Sequence, residues 1–198
     1  MELREVELCL QASTSNCGPG FDTLSIGLAL YNFCRLRRRE GPFRVVAGGE
    51  HGTDLAERGR RSADLFFSQT GQEPFAFEVE IWGEIPFERG LGSSATVYGG
   101  ILLGLNALCD RPLGPHECVR ELTKLDNAPD NVCALVRGGF CVSRTNPEDG
   151  GYLDSFRFPV TEDLSLVVVA PETRVSTPLA RQVLPETLPF EEVVKSLN

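Results

Sequence analysis

The stretch ERGLGSSAT, Glu88 to Thr96, sets two glycines around a leucine, follows them with two serines, and leads directly into an apolar pattern of helical period. Glycine at 90 and 92 lets backbone amides approach a ligand with no Cβ in the way. A helix start adds unpaired N–H groups and a positive dipole end, both of which attract an anion. Ser93 and Ser94 bring hydroxyls that either cap the helix or reach a phosphate or Mg2+. The chemistry on offer is the cradling of phosphate; the plainer alternative is a tight turn with a serine cap. No lysine follows the glycines, so a Walker loop is excluded. Gly90, Gly92 and Ala95 fit the dinucleotide spacing G-x-G-x-x-A, with Asp110 at the distance of a ribose carboxylate. Context speaks against it: Asp110 ends a helical pattern where that motif needs a strand, and EIPFER separates the strand from the glycines.

Two further stretches carry chemistry. In ASTSNCGPGFDTL, Ala12 to Leu24, the Gly18-Pro19-Gly20 run forces a sharp turn that can bring Asn16 and Asp22 to one pocket. An ordinary hairpin uses the same residue types. In LDNAPDNVCALVRGG, Asp126, Asp130 and Asn131 crowd before a short helix, where carboxylates can ligate Mg2+ or orient a hydroxyl. Simple helix capping by Asp130 is the alternative.

These residues need elements to position them. Apolar residues at Val97, Tyr98, Ile101, Leu102, Leu105 and Leu108 predict a helix over 94–108 with one buried stripe. Further helices are expected over 62–69, 115–125, 131–137 and 177–184. Phe75, Phe77, Val79 and Ile81 alternate with Glu78, Glu80 and Trp82, a strand with one wet face. VELCLQAS, IGLALYNFCRLR, FRVVAGG, GGFCVSR, YLDSFRF and LSLVVVAP read as further strands, the last as a fully buried run. Strands in succession and strands between helices together predict an α+β fold.

Composition limits the function. The 198 residues are 41% hydrophobic, enough for a core. Nineteen basic against 28 acidic side chains give a formal charge of −9, which repels nucleic acid and anionic membrane. A phosphate ligand must then be held by local dipoles or a metal ion. Seven cysteines with no C-x-x-C pair argue for reduced thiols and a cytoplasmic location. The N-terminus lacks a signal-peptide core, and no apolar run is long enough to span a bilayer.

In their order and separation, the three stretches resemble the GHMP kinase superfamily, and most closely its homoserine kinase branch. The opening motif is similar to ASTSNCGPGFDTLSIGLAL, the phosphate loop to IPFERGLGSSAT, the third segment to LDNAPDNVCALVRGGF and a fourth to VVVAPETRVSTPLARQVLP, with Gly49 to Gly71 matching worst. The resemblance implies a ribosomal-protein-S5-domain-2-like ATP-binding domain over 1–160 and the start of a ferredoxin-like domain over 161–198, where relatives continue further. It implies ATP phosphates on Arg89, Gly90, Leu91, Gly92, Ser93, Ser94 and Ala95, and Mg2+ on Ser94 and Asp126, with Glu121 the fallback. It implies a small hydroxylated substrate, homoserine favoured, held by Asn16, Asp22, Asn131 and Arg181, with Asp22 on the ammonium and Arg181 on the carboxylate. Asn131 orients the hydroxyl, and a homodimer is a further expectation. Departures are Asp126 where relatives carry Glu, Ala128 where they carry His, and Asp64-Leu65 in place of an adenine-binding Asn-Leu pair. Another small alcohol as substrate, or a non-catalytic nucleotide-binding or interaction domain, are the alternative functions.

Overall fold

The computed structural model describes residues 3–47, 52–169, 181–185 and 187–196. Its elements, in chain order, are β1 (Glu5–Asn16), β2 (Gly20–Arg39), β3 (Val45–Ala47), α1 (Gly52–Thr70), β4 (Ala76–Gly83), α2 (Ser93–Leu108), α3 (Pro115–Asp126), α4 (Asp130–Arg137), β5 (Phe140–Thr145), β6 (Tyr152–Phe158) and α5 (Phe190–Ser196). This is the expected α+β arrangement.

The sheet runs β3-β4-β2-β5-β6, with β1 also on β2. The 20-residue β2 makes this possible: Asn32–Arg39 pairs with β4, Leu24–Ile26 pairs with β5, and β1 follows it along its length. Register shifts at Gln11/Ala12 and Ser15/Asn16 bend β1 where it enters the first motif. The outer face carries a ladder of alternating charge, in which Arg35 bridges Glu7 at 2.8 Å and Glu80 at 3.2 Å, and Arg37 bridges Glu5. On the inner face Leu10, Cys34, Leu36, Phe77 and Val79 meet the helices.

Helix α2 is buried on nearly all sides, not along one stripe. Its glycines explain this: a Cβ at Gly100 would lie 2.7 Å from Cys34 Cβ, and one at Gly104 would lie 2.9 Å from Leu36. The missing side chains let the helix axis sink onto β2. A second, smaller apolar cluster joins Leu91 of the glycine turn to Ala12, Leu28 and Ile85. Asn32, buried in β2, donates to Thr96 Oγ1 at 3.3 Å and accepts from the Ile85 amide at 3.1 Å. The EIPFER segment is thereby fastened to the first turn of α2.

Two sequence expectations need correction. The helix over 62–69 is the second half of the longer α1. The LSLVVVAP run forms no strand over 164–169, and Val167 and Val169 are almost fully exposed. An apolar run becomes a strand only where a neighbour accepts its backbone hydrogen bonds, and β6 has no partner there among the described residues. The first half of the helix expected over 177–184, and the end of the FRVVAGG strand, lie outside the described residues.

Candidate active site

The three motifs meet at the start of α2. Gly92 is its N-cap, in a left-handed conformation (φ 71°), and no side chain caps the helix. Neither Ser93 nor Ser94 therefore plays the capping part that the plainer reading gave them. Gly90 also has positive φ, with open space where a Cβ would be, whereas a Cβ on Gly92 would lie 2.3 Å from Ser13 Oγ. The turn is held from below by Leu91, whose carbonyl accepts from the Ser13 amide at 3.3 Å. Arg89 turns back on the loop, donating to the Phe87 and Glu88 carbonyls.

Beside the turn, Asp126 at the end of α3 lies near enough to the Ser94 hydroxyl for the hydroxyl to favour its charged form. Burial pushes its carboxyl up from the ordinary value, against the opposing pull of Ser94 and of the Arg58 charge. The fallback ligand Glu121 lies elsewhere: it is fully buried and neutralised by Arg120 at 2.9 Å and Lys124 at 2.5 Å. Among the described residues no three His, Cys, Asp or Glu side chains gather as a metal cluster. Mg2+ does not need one, since one or two carboxylates and a hydroxyl suffice when phosphate oxygens and water complete the shell. The Ser94–Asp126 pair fits that requirement, and the open, uncapped turn fits a phosphate chain.

Asn131 is fixed on three sides. Its Oδ1 accepts from Ser13 Oγ at 2.8 Å, and its Nδ2 donates to Ser15 Oγ and to Asp130 Oδ1, each at 3.3 Å. Asp130, read from sequence either as a carboxylate able to ligate Mg2+ or orient a hydroxyl or as a helix cap, is deeply placed. It is 3% exposed, and its Oδ1 accepts from the Asn131 amide at 2.6 Å. Burial pushes its carboxyl up to about 6; neighbouring Asp22 and Asp126 add to this, and the Asn131 amide and Ser15 oppose it. The donors named here are neutral, and the cation whose charge acts on it is Arg181, which Asp22 holds. Spacing could not reveal this, because α4 packs on β1 and β2, far away in sequence.

That turn behaves as expected of a strained site. Asn16, Cys17 and Asp22 all have positive φ, and Asn16 Oδ1 accepts from the Asp22 amide at 3.0 Å. Asp22 and Arg181, assigned to opposite ends of a substrate, are joined to each other: Arg181 Nη2 lies 2.6 Å from Asp22 Oδ1, with the guanidinium over the Phe21 ring at 5.0 Å. Asp64 sits on the exposed side of α1, 3.9 Å from Arg60. It lines a shallow hollow of about 350 Å³ against Phe43 that shares no residue with this site.

The model for the GHMP kinases N terminal domain matches residues 57–139. A homoserine kinase of Moorella thermoacetica is 35% identical over 94% of this chain, and one of Synechococcus sp. is 33% identical over 94%. The chain spans 63% and 61% of those relatives' own length. Among solved structures, a homoserine kinase from Cytophaga hutchinsonii superposes with a TM-score of 0.80 over the whole chain and 65% of its own, at 21% identity. L. major mevalonate kinase in complex with R-mevalonate gives 0.59 over 79% of this chain and 55% of its own, at 13% identity. The family match spans the glycine turn and α2, the homoserine kinases are what the chain is similar to in sequence, and the likeness to the solved structures is one of fold.

Proposed function

We propose that the chain serves in ATP-dependent phosphorylation of the L-homoserine hydroxyl, giving O-phospho-L-homoserine in the cytoplasm. The observation that carries this reading is the meeting of an uncapped α2 start, the Ser94–Asp126 pair and the Ser13–Asn131–Asp130 network in one corner. An anion cradle, a hard-cation site and a hydroxyl-orienting amide then stand side by side. The names of the relatives point to the alcohol.

In this reading the amides from Gly90 to Ala95 hold the ATP phosphates, and Ser94 and Asp126 hold Mg2+, which supplies charge neutralisation when bound. Phosphoryl transfer needs positioning and electrostatics more than covalent help. Asn131, locked by Ser13 and Ser15, orients the acceptor hydroxyl and does not remove its proton. Asp130, a buried carboxyl beside Asn131, suits the ammonium. Asp22 holds Arg181 in place to receive the carboxylate through a planar fork. Residues 1–160 form the ATP-binding domain and 161–198 begin a second, ferredoxin-like one; among the described residues the sheet's last strand ends at Phe158, which supports that division.

The test is a coupled ADP-release assay over L-homoserine, L-serine, mevalonate and shikimate. Homoserine-dependent turnover that falls about 100-fold in Ser94→Ala is the expected result. Ala128, buried in the turn before Asn131, favours a second reading with a different small alcohol. Turnover of mevalonate or shikimate alone would select it, and nucleotide binding with no turnover would leave a binding domain.

A further inference from the structure

Arg89 donates to the carbonyls of its own loop and Arg181 is held by Asp22, so the glycine turn calls for another cation toward the phosphates, in a molecule whose formal charge is −9. Both of its lysines are engaged away from the turn, Lys124 by Glu121 and Lys195 by Glu192. Helix α1 supplies what is missing. Arg58 Nη1 lies 3.4 Å from Ser94 Oγ, and its charge acts on Asp126. Its Nε is bound by Asp54 one turn earlier at 2.8 Å, and its guanidinium lies over the Tyr98 ring at 5.3 Å. Tyr98 stands one turn after Ser94 on the same face of α2, and its hydroxyl accepts from Arg61 at 2.9 Å. The Nε edge and one face are thus occupied, which turns the Nη edge toward Ser94 and Asp126.

We propose that Arg58 is a phosphate-contacting residue of the nucleotide site, clamped by Asp54 and Tyr98 so that its Nη edge meets the terminal phosphates of a nucleoside triphosphate. This rests on the kinase reading and extends it to the first half of α1, ahead of the Asp64-Leu65 pair that the resemblance set against adenine. A guanidinium there matches phosphate geometry and opposes the charge that spreads over the phosphoryl group in transit. Asp54 and Tyr98 act as positioning residues, since they fix the fork before the ligand arrives and lower the cost of ordering it.

Calorimetric titration of the purified chain with ATP, ADP and AMP tests this, with Mg2+ present throughout. Arg58→Ala is expected to weaken ATP about 10- to 100-fold, the loss of a charge-assisted contact, and to leave AMP nearly unchanged. Asp54→Asn should weaken ATP by a smaller factor with the same indifference to AMP. Arg60→Ala, an exposed arginine on the same helix, should match the unsubstituted protein, and melting curves should show all three variants folded. Unchanged ATP affinity in folded Arg58→Ala overturns the proposal and leaves the kinase reading standing. Equal loss of ATP and AMP overturns it too, by making Arg58 merely structural. Failure of the unsubstituted chain to bind ATP removes both.

Discussion

At the scale of single residues, Gly90 and Gly92 share a backbone conformation but differ in what surrounds them. A side chain in the left-handed region costs about 1 to 2 kcal/mol at either position. Only at Gly92 does the new Cβ also strike a neighbour, Ser13 Oγ, itself bonded to Asn131. Gly90→Ala is therefore expected to lose about 1 kcal/mol in urea denaturation, and Gly92→Ala clearly more, with the orientation of Asn131 lost as well. Equal losses would show that the cradle has room the geometry denies. Asp130 makes a prediction of a different kind. With its carboxyl raised to about 6 from 3.8, the folded chain binds that proton more tightly than the unfolded chain does. Stability must then fall as pH rises from about 4 to about 6 and level off above, a cost of about 3 kcal/mol at pH 7. Asp130→Asn keeps an oxygen acceptor for the Asn131 amide and removes the charge. It should be more stable than the unsubstituted protein at pH 7, equal to it below pH 4, and unable to bind homoserine; denaturation from pH 4 to 8 decides. The place of Arg58 and the burial of Asp130 share a reason for escaping a reading by spacing: the groups that give them meaning come from other elements, 36 residues away for Ser94 and more than a hundred for Ser15.

At the scale of elements, α2 is the piece on which the site is built, and its glycines set two effects in opposition. Alanine at position 100 gains about 1 kcal/mol of helix propensity. It also puts a methyl 2.7 Å from Cys34 Cβ, an atom too close to the backbone to swing aside, and overpacking of this kind costs about 1 to 3 kcal/mol. The second effect wins: Gly100→Ala should lower stability by about 1 kcal/mol and shift α2 off β2, weakening nucleotide binding in the same variant. A stabilised variant would mean that β2 yields more readily than its pairing on both sides suggests. The same helix shows what was legible. Its limits, and those of α3, α4, β4 and β6, follow from apolar period and turn residues, because those signals are local. Its all-round burial was not legible, since a glycine reads as a gap in a stripe until the strand that fills the gap is known. The run at 164–169 failed for the converse reason: its residues read as a buried strand, but strand and burial both depend on a partner that the run itself does not encode.

At the scale of the whole molecule, the first and third motifs were legible as turn chemistry, but only the fold shows them converging on one helix start. The fold also brings Arg181 back across 159 residues of sequence to Asp22. Both side chains are about one-third exposed, so the pair adds little to stability, under about 1 kcal/mol. Its value lies in placement, because Phe21 supports the face of the guanidinium while Asp22 fixes one edge. Arg181→Ala should leave the melting curve almost unchanged and raise KM for homoserine about 10- to 100-fold, with KM for ATP unaffected. Arg181→Lys should recover only part of that loss, since an ammonium keeps the charge but not the planar fork. Asp22→Asn separates two roles for the acid. If Asp22 only holds the arginine, its loss disappears in an Arg181→Ala background; if it grips the substrate ammonium, as expected from sequence, the two losses add. Steady-state KM values for the four proteins of that cycle choose between them, and additive losses would return the ammonium from Asp130 to Asp22.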